Sequence, residues 1–247
     1  MTHSPSEWGD APEALPPPRD HVHVWLFGLN PMTAQLQVLW DTLTSDERAR
    51  ADRFHFERDH RRFIAARGQL RMILGRYTGV DPKALTFSYG PRGKPILSHP
   101  RRTPTLSFNL SHSGEMALAA VTHERAVGVD LEEMRVLQDA EAIADRFFSP
   151  RESSVLRALP EKERLEGFYR CWTCKEAYVK ATGDGLARPT ESFDVAFGRG
   201  EAAQLLSVER EPDEAARWSM AALAPAPGYV GAIAVEGHGW SLACWRL

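Results

Sequence analysis

The sequence predicts an α+β fold built as two related lobes, and three observations carry that reading. Predicted strands and helices come in blocks, not in the regular alternation that a parallel βαβ sheet requires. The 247 residues suffice for two lobes of ordinary size, and 43% hydrophobic against 26% charged residues describes a chain that buries a real core. Finally, "GEMALAAVTHE" at 114–124 is echoed by "GYVGAIAVEGH" at 228–238, each a small-residue strand late in its half. The junction then falls near residue 125, giving lobes over 21–125 and 126–247.

Residues 1–20 hold acidic residues and prolines, without the basic patch and apolar run of a secretory signal, so they predict a short disordered tail. "HVHVWLFGL" alternates and predicts a strand over 21–29. "MTAQLQVLWDTL" has helical spacing. The longest helical region follows over 44–79, with Ser45 as its cap, a stripe of Phe63, Leu70, Ile73 and Leu74, and Gly79 at its end. "LTFSYG", "TLSFNLSH", "MALAAVTH" and "AVGVDLEEM" predict strands, "QDAEAIADRFFS" and "ESSVLRALP" two helices, and "FYRCWTCKEAYVK" a third. Five strand runs close the chain, from "SFDVAFG" to "SLACWRL".

Composition narrows the function. A net charge of −3 argues against nucleic-acid binding by the whole surface. No apolar run approaches the roughly 20 residues that cross a bilayer. Three cysteines, Cys171, Cys174 and Cys244, build no disulfide framework and imply a reducing cytoplasm. Of 30 basic residues only five are lysine: Lys83, Lys94, Lys162, Lys175 and Lys180. Each lysine invites a reason, because an ammonium is a compact point charge and a guanidinium is not.

"GVDLEEMR" sets Asp130 and Glu132 two residues apart, on one face of a strand, with Val129 and Leu131 on the other. Adjacent carboxylates repel unless a cation or proton sits between them. Mg²⁺, which takes hard oxygens and shares its shell with phosphates, suits such a pair; a solvated strand end is the alternative. Glu133 falls on the other face. In the predicted helix, Glu176 and Lys180 are i and i+4 on the stripe of Trp172, either as an ordinary surface pair or as partners of the acidic strand. The Cys171–Cys174 pair lies inside this helix and not at its start, where a redox thiol would be activated, and no second set of ligands completes a zinc site.

Nine arginines against three acids between Arg48 and Arg76 leave a local surplus suited to a polyanion, or a solvated helix. "RGKPIL" presents Lys94 from a turn, and "FNLSHS" delivers Ser111 and His112 from a strand end, where hydroxyl, imidazole and amides suit a phosphate. In "FFSPRES", Ser149, Pro150 and Glu152 form a helix start with a capping-box glutamate; the alternative has Glu152 leaning toward a metal.

In order, "RGKP", "FNLSHS", "GVDLEE", "FFSPRE" and "WTCKEAYVKATGDGL" resemble the motif series of the 4'-phosphopantetheinyl transferases, of the long two-lobed type that activates peptide and polyketide synthetases. The resemblance runs from about residue 50 to 195. It implies a monomeric pseudo-dimer of two similar α+β lobes with the active site in the cleft between them. It further implies coenzyme A as donor, Mg²⁺ as cofactor, and an acyl or peptidyl carrier protein as acceptor. By position, Asp130, Glu132 and Glu176 would hold Mg²⁺, Glu176 would be the base, and Lys180 would stabilise the pyrophosphate. Lys94, Ser111 and His112 would meet the nucleotide end of coenzyme A, Arg62 and Arg67 its phosphates, and Lys175 the pyrophosphate. Relatives often carry lysines early in the basic helix, where this chain has Arg53, Glu57 and Arg58. The competing readings are a non-catalytic coenzyme A or nucleotide-binding relative and an arginine-rich nucleic-acid binder.

Overall fold

The computed structural model describes residues 7–13, 15, 20–98, 105–198 and 200–247, and in it one arrangement occurs twice. After a short edge strand, β1 (Trp8–Asp10), the first copy opens with β2 (His21–Gly28). Three helices follow, α1 (Thr33–Thr42), α2 (Ser45–Ala51) and α3 (Glu57–Thr78). A hairpin of β3 (Thr86–Tyr89) and β4 (Pro95–Ser98) precedes β5 (Leu106–Ser113) and β6 (Met116–His123). The second copy opens with β7 (Val127–Glu133) and three helices, α4 (Ala140–Phe147), α5 (Pro150–Ala158) and α6 (Glu161–Thr182). Its hairpin is β8 (Phe193–Ala196) with β9 (Gln204–Val208), and β10 (Trp218–Leu223) and β11 (Tyr229–Glu236) complete it.

The sheets repeat as well. β6 lies antiparallel between β2 and β5, and β11 lies antiparallel between β7 and β10. The two echoed segments are therefore the equivalent central strands. α3 and α6 are each 22 residues long and end on a left-handed glycine, Gly79 at φ 68° and Gly183 at φ 74°. Glycine meets no Cβ penalty there, and its N–H closes the last turn.

β2 and β6 are apolar on both faces because both faces are covered. Trp25, Phe27, Ala117 and Ala119 pack against Leu70 and Leu74 of α3. Val24, Leu26, Leu118 and Ala120 meet Val127, Val129, Ile233 and Val235 of the second sheet. Beyond that sheet, Ala232, Ala234 and Met220 pack on Phe168 and Tyr178 of α6. Two sheets thus stand back to back with helices outside, the α+β pseudo-dimer that the echo predicts.

Four details differ from expectation. The final strand, β12 (Ser241–Arg246), joins the first sheet parallel to β2, although the sequence places it in the second lobe. Trp8, Gly9 and Asp10 pair with β12 and so leave the expected tail; residues 1–6, 14 and 16–19 lie outside the described residues. The long helical region breaks between α2 and α3, and Thr44, not Ser45, caps α2, with Glu47 accepting from the Thr44 N–H at 3.1 Å. β4 forms directly after the Gly93 turn, a strand that the reading of "RGKPIL" as a turn did not include.

Candidate active site between the lobes

The alternation of β7 sorts its residues as predicted. Val127, Val129 and Leu131 enter the core between the sheets, while Asp130 and Glu132 take the opposite face, which α6 covers. Gly128 lets that helix come close. A Cβ there would stand 2.1 Å from the Ala177 carbonyl oxygen and 2.3 Å from the Ala181 nitrogen. Such an approach excludes every residue with a side chain, and it brings Lys180 onto the strand.

Lys180 Nζ donates to Asp130 Oδ1 at 2.5 Å and to Ser111 Oγ at 2.9 Å, and Ser111 Oγ donates to Asp130 Oδ1 at 2.8 Å. Ser113 Oγ donates to Glu132 Oε2 at 2.7 Å. Asp130 is 3% exposed, and its Oδ2 has no hydrogen-bond partner. Glu176 sits half-buried one turn before Lys180. Burial raises the pKa of Glu176, with the Asp130 charge adding and Lys180 opposing. Burial also raises Glu132, against the Ser113 hydrogen bond and with the charges of Asp130 and Glu176 adding. Three carboxylates therefore feel one another across a partly desolvated space.

Hard oxygen donors, mutual repulsion and an unpartnered buried oxygen suit a divalent cation such as Mg²⁺. Among the described residues, no three His, Cys, Asp or Glu side chains already converge as a ligand set. The Lys180 ammonium stands on Asp130, and the Ser113 hydroxyl holds Glu132.

Two cavities share Gly93, Pro95, Asn109 and Leu110 as lining. One, of about 870 Å³, is lined by Trp172, Glu176, Lys180, Lys94, Phe147 and Arg188. The other, of about 590 Å³, is lined by Arg50, Arg62, Arg67, Phe63, Tyr89 and His112. His112 has a lowered pKa, from burial first and then from the Lys180 and Arg62 charges. It shares its β5 face with Leu110, while Asn109, Ser111 and Ser113 face β7. Sequence reasoning missed Arg188, and it held Arg50 only within the arginine surplus and Ser113 only within "FNLSHS". The only signal available was their place beside residues already chosen.

Several sequence-predicted residues stand elsewhere. Lys175 does not face the carboxylates. It is 1% exposed, with Nζ 2.8 Å from Glu152 Oε1, 2.6 Å from Glu152 Oε2 and 2.6 Å from the Phe193 carbonyl. Lys175 precedes Glu176 by one residue, and a helix turns such neighbours to different faces. Glu152 makes the capping box with Ser149 and also accepts from the Val195 N–H at 2.8 Å, so it pairs with Lys175 inside the second lobe, away from Asp130. Cys171 and Cys174 are buried, and burial raises both thiols, Cys174 to about 12, which leaves them as packing residues.

Arg67 reaches its cavity with its charge matched by Glu47, beside a Tyr89 hydroxyl at 3.4 Å and with its guanidinium carbon 4.1 Å from the Phe87 ring centre. Most of the arginine surplus is structural. Arg71 binds Glu47 at 2.7 Å and the Pro82 and Leu85 carbonyls, Arg61 the Pro31 carbonyl, and Arg76 the Pro12 carbonyl. Arg62 is looser, 4.0 Å from Glu115. Lys94 lines the first cavity but donates to three carbonyls, of Val127 at 3.0 Å, Lys180 at 2.6 Å and Ala181 at 3.1 Å. Burial lowers its pKa to about 8.

Comparison with known proteins fits this architecture. The family model of the 4'-phosphopantetheinyl transferase superfamily matches residues 126–234, and that of the 4'-phosphopantetheinyl transferase N-terminal region matches residues 28–124. The chain belongs to the 4'-phosphopantetheinyl transferase superfamily and is a transferase of that class. Its relatives identify the long, two-lobed type. It is 46% identical over 239 residues to the 4'-phosphopantetheinyl transferase HetI of Nostoc sp., covering 97% of this chain and 98% of that protein. It is 33% identical over 153 residues to a 4'-phosphopantetheinyl transferase of Bacillus subtilis, covering 62% and 66%. To 4'-phosphopantetheinyl transferase Sfp of Bacillus subtilis strain 168 it is 31% identical over 153 residues, covering 62% and 66%.

Proposed function

We propose that the chain transfers the 4'-phosphopantetheine group of coenzyme A to a serine hydroxyl of an apo acyl or peptidyl carrier protein, releasing adenosine 3',5'-bisphosphate. The serine oxygen bonds to the pantetheine-bearing phosphorus as the bond from that phosphorus to the bridging pyrophosphate oxygen breaks. The observation that carries this reading is the meeting of Asp130, Glu176 and Lys180 of the second lobe with Ser111 of the first, beside cavities with basic linings.

Each residue has a role its surroundings support. Glu176, whose raised pKa suits a proton acceptor, takes the serine proton directly or through water. Lys180 holds the pyrophosphate charge as it shifts to the leaving group. Asp130, Glu132 and Glu176 would hold Mg²⁺, which when bound supplies charge neutralisation on the pyrophosphate oxygens. Arg62 and His112 serve the bisphosphate end, with Arg67 behind them and Ser111 beside Lys180. Lys94 lies close enough to approach the nucleotide, but its three carbonyls give it first a role between the lobes. Three buried cysteines suit a cytoplasmic setting, and a cleft formed within one chain suits a monomer.

The test is intact-mass spectrometry of apo carrier proteins incubated with the chain and coenzyme A, with Mg²⁺ or excess chelator. A chelator-sensitive gain of one phosphopantetheine is expected, and Glu176→Ala should abolish it. Absence of any gain on fatty-acid, polyketide and peptide carriers alike would refute the reading.

A further inference from the structure

We infer that Ser113 is a positioning residue that sets the side chain of Glu132 for cation binding; this rests on the reading of Asp130, Glu132 and Glu176 as a cation site. β5 and β7 are edge strands of different sheets that run side by side with no backbone ladder between them. One face of β5 fills the gap with side chains at every second residue. Asn109 Oδ1 accepts from the Val129 N–H at 2.9 Å, Ser111 Oγ donates to Asp130, and Ser113 Oγ donates to Glu132.

Ser111 is already engaged with Lys180, whereas the hydrogen bonds of Ser113 run to Glu132 and the Glu133 amide. Its hydroxyl is oriented from the other side, because the Glu133 N–H donates to Oγ at 3.1 Å. The carboxylate only accepts, so the Ser113 proton goes to Glu132 Oε2 while the Glu133 amide takes a lone pair of Oγ, and Oε1 is left for a ligand. The position of Ser113 is fixed in turn by the hairpin behind it. Gly114 turns at φ 57°, where a Cβ would stand 2.3 Å from Glu133 Oε2 and 2.6 Å from the Tyr229 hydroxyl. That hydroxyl accepts from the Glu115 N–H at 3.2 Å. A serine of the first lobe, anchored by backbone of the second, thus holds a carboxylate of the second. Outer hydrogen-bond partners of this kind orient ligating groups, and their loss typically weakens metal affinity about 10- to 100-fold.

The experiment compares wild type, Ser113→Ala and Ser113→Thr. Mn²⁺ binding without coenzyme A is read by electron paramagnetic resonance, melting temperature is recorded, and carrier modification is titrated with Mg²⁺. Ser113→Ala should weaken Mn²⁺ binding about 10-fold and raise the half-saturating Mg²⁺ by a similar factor, with kcat at saturating Mg²⁺ near the wild-type value. Ser113→Thr, which keeps the hydroxyl, should restore both. Wild-type Mn²⁺ affinity in Ser113→Ala would overturn the inference, as would a fall in melting temperature with cation affinity unchanged. A wild-type protein that binds no Mn²⁺ and transfers without Mg²⁺ would instead refute the cation site itself, and this inference with it.

Discussion

Gly128→Ala isolates the contact that assembles the site. The added Cβ would lie 2.1 Å from the Ala177 oxygen and 2.3 Å from the Ala181 nitrogen, both backbone atoms of α6. Backbone cannot turn aside as a flexible side chain can, so α6 must retreat from β7 by about 1 Å to reach a tolerable contact. Glu176 and Lys180 ride on the turns flanking those two atoms, and the 2.5 Å contact from Lys180 to Asp130 opens with them. Overpacking of this kind costs about 1–3 kcal/mol in stability, and a 1 Å displacement of catalytic groups can cost roughly 100-fold in rate. The assay pairs a thermal melt with initial rates of carrier modification by intact mass. The expected variant is folded, melts several degrees lower, and transfers roughly 100-fold more slowly at a temperature where it remains native. A variant with wild-type melting and wild-type rate would show that α6 does not set the site through its seat on β7.

Three further outcomes follow from the same geometry. Lys180→Ala should reduce transfer roughly 100- to 1,000-fold, since a preorganised charge at the reacting group is removed; a rate within a few-fold of wild type, by the same mass assay, would exclude the role. Lys175→Met should act on stability, not on chemistry. Removing one member of a pair that is 1% and 0% exposed should cost about 3–5 kcal/mol in a urea melt, against an intact second lobe in wild type. His23 titrates low, to about 4, from burial and the neighbouring His21, with Nδ1 2.7 Å from the Tyr77 hydroxyl. Its folded pKa lies below the ordinary value of 6.5, so the unfolded chain binds more protons between these limits. Its contribution to stability is whole above pH 6.5 and falls by about 3 kcal/mol as pH drops toward 4. Urea melts of His23→Phe should lose that slope.

The acidic strand was legible because strand periodicity is two: an apolar run at 127, 129 and 131 forces 130 and 132 onto the other face. The faces of α6 were legible for Glu176 and Lys180 by the same logic with a period near 3.6. Lys175 was misplaced because adjacency in a motif overrode that period, although about 100° separates neighbours around a helix. The arginine surplus misled for a different reason. Charge counting cannot see that Glu47, from another helix, and backbone carbonyls absorb Arg61, Arg67, Arg71 and Arg76. The ladder of Asn109, Ser111 and Ser113 was out of reach, since which strand faces which is a tertiary fact. β12 was assigned by chain order, and its apolar pattern suits either sheet equally.

That last strand carries a consequence for how the molecule forms. Ser241 pairs with His21 across 220 residues, and β12 separates β2 from β1. During synthesis the first sheet must wait, one edge open, until the entire second repeat has left the ribosome. Contacts of such long sequence separation slow folding and expose an unpaired edge meanwhile. Cutting the gene near codon 125 would therefore yield a first fragment lacking a strand of its own sheet, and a second carrying a strand with nowhere to dock. The two repeats, alike in plan, are stitched into one cooperative unit by a piece of chain that belongs to neither half.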